Sequence, residues 1–236
     1  KTGTLTKNEM NVYKVLTGLS EIKLEETLDS DDAGALDKQN KTSNKKIRED
    51  YTKYFANETY WEMLKTSIAL NIDGAIKHLD EPNIDGDTEE CETKNKTDKA
   101  FIDFLYRFRS PISKERELYI PDTSKMKQAP FDSKRKRMTT YINSSNFKGS
   151  QYRLFTKGGA ENVKTFCKYY LDPNTGEKRN IEDQQINFIS DQIEQFNKDM
   201  LRSLYVCYKD ISEDEFNNSE NPNSNGQFVD QYDLVF

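Results

Sequence analysis

The clearest periodicity in the chain runs from Ile186 to Met200. Ile186, Ile189, Ile193, Phe196 and Met200 fall at steps of three and four, the spacing of one helix face. Ala100, Phe101, Phe104, Leu105 and Phe108 make a second such face. Thr97 sits just ahead of it, where an N-cap hydroxyl would accept backbone N–H bonds. Tyr51, Phe55, Leu64, Ile68 and Ile72, with Trp61, predict one long amphipathic helix over 51–72. "GAENVKTFCKYY" reads as a short helix.

Elsewhere the pattern alternates. "MNVYKVL" near the start predicts a strand. After Pro111 the pattern changes to short strands, and "MTTYI" and "YRLFT", separated by a Ser/Asn/Gly loop, read as a hairpin. "SLYVCYKDI" predicts a buried strand and "YDLVF" another. Between these lie polar stretches: a loop over about 17–50, a turn-rich connection around Pro82 and Gly86, and a loop over 217–227. Helices and hairpins mix without a βαβ rhythm, so the fold class is α+β: a mixed, largely antiparallel sheet flanked by helices.

Composition narrows the function. Charged residues make up 32% and hydrophobic ones 34%, which predicts a modest core with long polar excursions. The 13 Phe, 13 Tyr and single Trp are enough to build that core. A net charge of -6 argues against nucleic acid, which needs a basic face to release counterions. The apolar runs fall far short of the ~20 residues that cross a bilayer. Three widely spaced cysteines and one histidine give no metal-ligand spacing, so no metal site is expected and the thiols read as free and buried.

Four short stretches carry candidate chemistry. In "NKTDKAF", Thr97 and Asp98 stand at a helix start, where capping alone would explain them. In "APFDSKRKRMTTYI", Phe131 precedes four consecutive basic residues. Read as a strand, that run puts Lys134, Lys136 and Met138 on one face and Arg135 and Arg137 on the other. An aromatic plate beside a cationic wall suits a flat base with a phosphate tail, while a basic edge strand that resists aggregation is the plain alternative. In "FTKGGAENV", Lys157 is followed by Gly158 and Gly159 at a strand-to-helix step, where a ligand could approach the backbone; the spacing is not that of a Walker loop. In "MLRSLYVCYKD", Arg202 and Leu204 lie between the clearest helix and a buried strand.

Taken in order, these stretches resemble a known family. "KTGTLTKNEM" resembles the phosphorylation-site signature of P-type ATPases, Asp-Lys-Thr-Gly-Thr-Leu-Thr, with the Asp expected just before Lys1. "PFDSKRKRM", "TKGGAE" and "LRSLYVCYKD" then follow the order of that family's nucleotide-binding domain. "NKTDKAFIDFL" is most similar to plasma-membrane-type calcium pumps, and "SKRKRM" also to phospholipid flippases. The sequence departs from the pattern at Asp98, usually Glu, at Gly159, usually Ala, and at Met200, where Gly is common.

The resemblance implies a hinge over 1–9 and a nucleotide-binding domain over 10–236, at the cytosolic face of a membrane. It implies that Phe131 stacks on adenine and that Lys157 lines the inner end of the base pocket, with Gly158 and Gly159 leaving room for the ring. Lys136 and Arg202 would reach the phosphates. Thr97 and Asp98 would frame the pocket, and Met138 and Leu204 would pack on the nucleoside. The implied ligand is ATP, with Mg2+ arriving on it. The implied partners are the phosphorylation and actuator domains and the membrane helices of the same parent chain. The expected behaviour of this chain by itself is ATP binding without turnover. A flippase nucleotide-binding domain and a non-enzymatic interaction module stand as the alternatives.

Overall fold

The computed structural model describes residues 9–24, 49–78 and 89–236. Of the expected hinge only Glu9 falls there, and most of the polar loop over 17–50 lies outside it. β1 (Lys14–Thr17) and β2 (Ser20–Lys23) form an antiparallel hairpin. Gly18, at its tip, takes φ +56°, a left-handed conformation that glycine reaches without a Cβ clash. The first strand is therefore shorter and later than expected, and its partner comes from the stretch read as loop. The residues of β2 are mostly exposed, which is why they look like loop in sequence.

Residues 51–72 are not one helix. A 3-10 turn at Tyr51–Lys53 stops, and α1 (Glu58–Ala69) starts afresh behind Asn57. Asn57 is extended and its side chain accepts from the Tyr60 N–H at 2.9 Å, an N-cap that breaks the helix in two. β3 (Ala75–His78) and β4 (Glu89–Glu92) pair as a hairpin inside the expected connection. α2 (Lys96–Arg107) is capped by Asn95, which accepts from the Thr97 N–H at 3.0 Å. Asn caps at least as well as Thr, so the helix begins two residues earlier and Thr97 lies inside its first turn.

α3 (Ile112–Tyr119) follows Pro111, where short strands were expected. Proline's fixed φ suits a helix start, and the charged body of α3 gives little apolar period, since only Ile112, Ser113 and Glu115 are buried. β5 (Met126–Asp132), β6 (Arg137–Asn143) and β7 (Tyr152–Gly159) follow as an antiparallel meander that includes the expected hairpin. α4 (Ala160–Val163) is a single turn, and β8 (Cys167–Leu171) takes the second half of the segment read as helix. β9 (Lys178–Asn180), α5 (Asp183–Lys198), β10 (Leu204–Ile211), α6 (Glu213–Asn217) and β11 (Leu234–Val235) complete the chain. The periodicity read into α5 overruns it: Met200 lies beyond the helix, 95% exposed with φ +57°.

Seven strands form the main sheet in the order β5-β6-β7-β10-β11-β8-β9. Only the β11–β8 pair is parallel, so the sheet is mixed and largely antiparallel, as the pattern predicted. Its two faces bury different cores. On one, Ile142, Phe155 and Tyr208 pack with Trp61 and Ile68 of α1 and Phe104 and Leu105 of α2. Tyr51, Phe55, Trp61 and Phe108 stack or meet edge-on there with centroids 5.0–5.9 Å apart. On the other, Leu154, Cys207 and Ile211 pack with Ile189 and Ile193 of α5. The layering is helix on sheet on helix, and each face takes alternate residues of every strand.

Candidate functional site

β6 begins, β7 ends and β10 begins at one end of the sheet. Met138 stands opposite Lys157, Lys157 opposite Val206, and Gly159 opposite Leu204. Paired residues on neighbouring strands share a face, so Met138, Lys157, Gly159 and Leu204 lie on the same side. It is the side covered by α1 and α2. The first turn of α2 brings Asp98 onto it.

Asp98 is fully buried, and Lys157 is only 8% exposed. One Asp98 oxygen is held by the Lys157 ammonium, and the other accepts the Asp73 N–H at 2.9 Å. Burial pushes the Lys157 pKa down, and the Asp98 charge only partly restores it, so it stays below the usual lysine value. Lys157 is thus spoken for by a protein carboxylate. Its backbone runs beside α4, which starts at the residue after Gly159.

Phe131 lies on β5 beyond a register shift between Ala129 and Asp132. Asp132 pairs with Arg137, so alternation puts Phe131 on the Met138 side, where it is 57% exposed. The basic run after it is not strand. Asp132 Oδ1 accepts the Lys134 and Arg135 N–H groups at 2.9 and 2.8 Å, and Lys136 turns back with φ +55°. The expected alternation therefore starts only at Arg137; Lys134 to Lys136 form the hairpin turn because one aspartate gathers its amides. Lys136 and Arg202 are both exposed, and among the described residues neither is in an ion pair.

The two glycines differ. A Cβ on Gly158 would lie 2.5 Å from the Lys136 carbonyl and 2.8 Å from both Arg137 and Val163. The space beside Gly158 is filled by protein, so its missing side chain serves the close packing of β6 and α4 rather than a ligand ring. Beside Gly159 the nearest atom is Asn162 Oδ1 at 3.7 Å. Thr97, Arg202 and Leu204 also border a cavity of about 590 Å³ that extends along β1, α1 and α2. Phe131, Lys136, Met138 and Lys157 do not line it. Of the ten expected residues, Met138, Lys157, Gly159 and Leu204 thus share one side of neighbouring strands with Asp98; Thr97 and Arg202 border the cavity with Leu204; and Gly158 lies on the other face.

Nothing in the local sequence marks Asp230. It is buried, 93 residues from Arg137, and receives that guanidinium through two bonds of 2.9 and 2.8 Å. Thr139 adds a third at 2.7 Å, and the Arg137 guanidinium lies 5.1 Å from the centre of the Phe166 ring. Burial pushes the Asp230 carboxyl up, but the Arg137 and Thr139 bonds outweigh it and hold it below the usual carboxylate range. So Arg137 serves the fold, on the face opposite Met138. Cys167 and Cys207 are free thiols with sulfurs 3.5 Å apart; the side chain of Cys91 lies outside the described residues.

Residues 61–235 match the profile of the P-type ATPase cytoplasmic domain N. The chain belongs to that family. Among similar proteins, a plasma membrane-type calcium-transporting ATPase of rice, probable number 9, is 24% identical over 225 residues, 95% of this chain and 18% of its own length. A putative plasma membrane-type calcium-transporting ATPase of Arabidopsis thaliana, number 11, is 31% identical over half of this chain and 11% of its own length. The calcium-transporting ATPase PAT1 of Dictyostelium discoideum is 35% identical over 42% of the chain and 8% of its own length. The N domain described here spans less than a fifth of each of these relatives. Among its described residues no helix is long and apolar enough to cross a membrane, and no group of three His, Cys, Asp or Glu is placed to hold a metal ion.

Proposed function

We propose that this N domain binds ATP at the sheet end where β6, β7 and β10 meet. The observation that carries the reading is an exposed aromatic ring, Phe131, on the same side as the Lys157–Asp98 pair, with two exposed cations, Lys136 and Arg202, that are in no ion pair among the described residues. The donor set fits a nucleotide. Phe131 offers a face for the base, Met138 and Leu204 offer apolar packing to the nucleoside, and Lys136 and Arg202 offer charge to the phosphates. Thr97 and Asp98 frame the inner side, and Gly159 keeps the backbone open there. Mg2+ enters on the nucleotide and neutralises phosphate charge; this chain's residues orient the base and tail.

In the parent protein, the domain holds ATP by its base and presents the phosphates to an aspartate that precedes Lys1, which becomes the phosphorylated residue. That parent is a membrane pump with phosphorylation and actuator domains, and the relatives' names favour calcium as its cargo. The domain by itself binds ATP without turnover, since the phosphate acceptor is not among its pocket residues.

A fluorescent ATP analogue tests the binding. We expect saturable binding that ATP competes and inorganic phosphate does not. Phe131→Ala should weaken it by about 1–3 kcal/mol, the worth of one base–aromatic stack. Wild-type affinity in a folded Phe131→Ala variant would refute the site, and nucleotide-induced amide shifts confined to another surface would do the same.

A further inference from the structure

After α1 ends, the chain turns through residues 70–74 before entering β3. Two side chains hold that turn, one far away in sequence and one within it. Arg116, on α3, donates to three carbonyls: Nε to Ala69 at 3.3 Å, Nη2 to Ile72 at 2.7 Å and Nη1 to Gly74 at 2.6 Å. Asn71 is fully buried; its amide donates to the Met138 carbonyl at 3.4 Å, and its oxygen accepts the Thr140 hydroxyl at 2.8 Å. A cation near a helix C-terminus commonly caps one or two carbonyls. Here the guanidinium reaches past the helix end to Ile72 and Gly74, on both sides of Asp73. The amide between them is the one that donates to Asp98.

We infer that Arg116, assisted by Asn71, is a positioning residue for the nucleotide site: it fixes the 70–74 turn so that the Asp73 N–H grips one Asp98 oxygen and aims the other at Lys157. The inference rests on the ATP-binding reading of this sheet end. A short carboxylate has little reach of its own, so its partners must be brought to it. The turn delivers one partner and β7 the other. With the turn loose, Asp98 keeps its place in α2 but loses the contact that selects its side-chain rotamer.

Lys157 reports on the lock directly. The charged groups that act on it are Asp98 and Asp73, which favour the ammonium, and Arg116, which opposes it. The two possible roles of Arg116 therefore move the lysine in opposite directions. If Arg116 positions Asp98, Arg116→Met frees the carboxylate and the Lys157 pKa falls. If Arg116 acts only as a nearby like charge, removing it lets the Lys157 pKa rise.

The experiment is a pH titration of the Lys157 side chain by NMR, with ATP titrations on the same samples. We expect Arg116→Met to lower the Lys157 pKa and weaken ATP about tenfold, or about 1.4 kcal/mol. In an Asp98→Asn background, Arg116→Met should weaken ATP no further and should no longer lower the Lys157 pKa, because the group it positions is already disabled and only the loss of a like charge remains, which raises that pKa. A Lys157 pKa that rises, or stays put, in a folded Arg116→Met protein overturns the inference. So does full additivity with Asp98→Asn. If Arg116→Met does not fold, Arg116→Lys keeps the charge but cannot span three carbonyls; it should lower the Lys157 pKa too, and a wild-type value there overturns the inference equally. Wild-type protein that fails to bind ATP would sink the nucleotide reading, while the lysine titration would still decide the lock.

Discussion

Gly158 and Gly159 are neighbours in sequence, yet the structure predicts opposite outcomes for the same substitution. An alanine methyl at Gly158 would meet the Lys136 carbonyl at 2.5 Å and the Arg137 and Val163 side chains at 2.8 Å. Lys136 ends the hairpin turn and Arg137 begins β6, where it pairs with Gly158 directly. The backbone there has no free direction, because Lys136 accepts the Gly159 N–H at 3.1 Å and Arg137 is fixed by Asp230. Overpacking of this kind costs about 1–3 kcal/mol. For a chain of 236 residues that is a loss of roughly 2–12 °C in Tm, at about 2–4 °C per kcal/mol. At Gly159 φ is −58° and the nearest atom to an added methyl is 3.7 Å away. Gly159→Ala should leave Tm unchanged or raise it, since a compatible Gly→Ala change gains about 0.4–1 kcal/mol through the unfolded chain. Thermal unfolding of the two variants, followed by circular dichroism, decides it. Equal Tm values, or a larger loss at Gly159, would refute the argument that Gly158 is there for strand packing.

Other expectations follow from the buried charges and rings. Asp230→Asn leaves the Arg137 guanidinium buried without its partner charge and should cost about 3–5 kcal/mol in chemical denaturation; a loss under 1 kcal/mol would contradict the pairing. The Asp230 carboxyl is held below its ordinary value of 3.8, so its stabilisation is present above that pH and is lost as pH falls through the lower folded value. Acid unfolding of the wild type should accordingly be steeper below pH 3.8 than that of Asp230→Asn. Trp61→Ala empties the centre of the aromatic cluster and should cost about 3–5 kcal/mol by the same measurement, with ATP affinity of the remaining folded protein kept. On the proposed reading, in which Lys136 meets the phosphate tail, Lys136→Ala should weaken ATP more than adenosine in competition titrations; an equal loss for both would move it off that role.

How much of this was legible in sequence depended on whether a signal was local. α5 and α2 announced themselves through Ile189, Ile193, Phe104 and Leu105, which repeat on one face and are buried in the structure. β6, β7 and β10 did so as short runs rich in β-branched and aromatic residues, as strands buried on both faces do. α3 did not, because only one of its three buried residues is apolar. The break in 51–72 hinged on Asn57, a polar residue in a polar stretch whose capping role shows only in its backbone angles. The site shows the same division. Phe131, Lys157 and Arg202 stand out in short motifs, whereas Asp230, Asn71 and Arg116 act across 93, 69 and 47 or fewer residues and carry no local mark.

If the proposed anion site is right, the disposition of the cations gives a reason why an acidic chain can hold one. With a net charge of -6, a free basic cluster would be drawn to the protein's own carboxylates. Two of the candidate cations are indeed consumed in that way, each by a single buried aspartate: Arg137 by Asp230 beneath the sheet, and Lys157 by Asp98 above it. These pairs are worth little as attraction for a ligand, but each is anchored on a different element and both fix the same sheet end. What stays available is what the backbone itself lifts out of reach. Lys136 is turned outward by its left-handed φ in a hairpin closed by Asp132, and Arg202 is held in the short link between α5 and β10. Asp132 is the nearest acid in sequence to Lys136, and its Oδ1 is already occupied by two turn amides. The exposed ring of Phe131 lies one residue before it. The same aspartate therefore shapes the turn, stands next to the ring and gives one oxygen to two backbone amides, which on the proposed reading leaves Lys136 for phosphate.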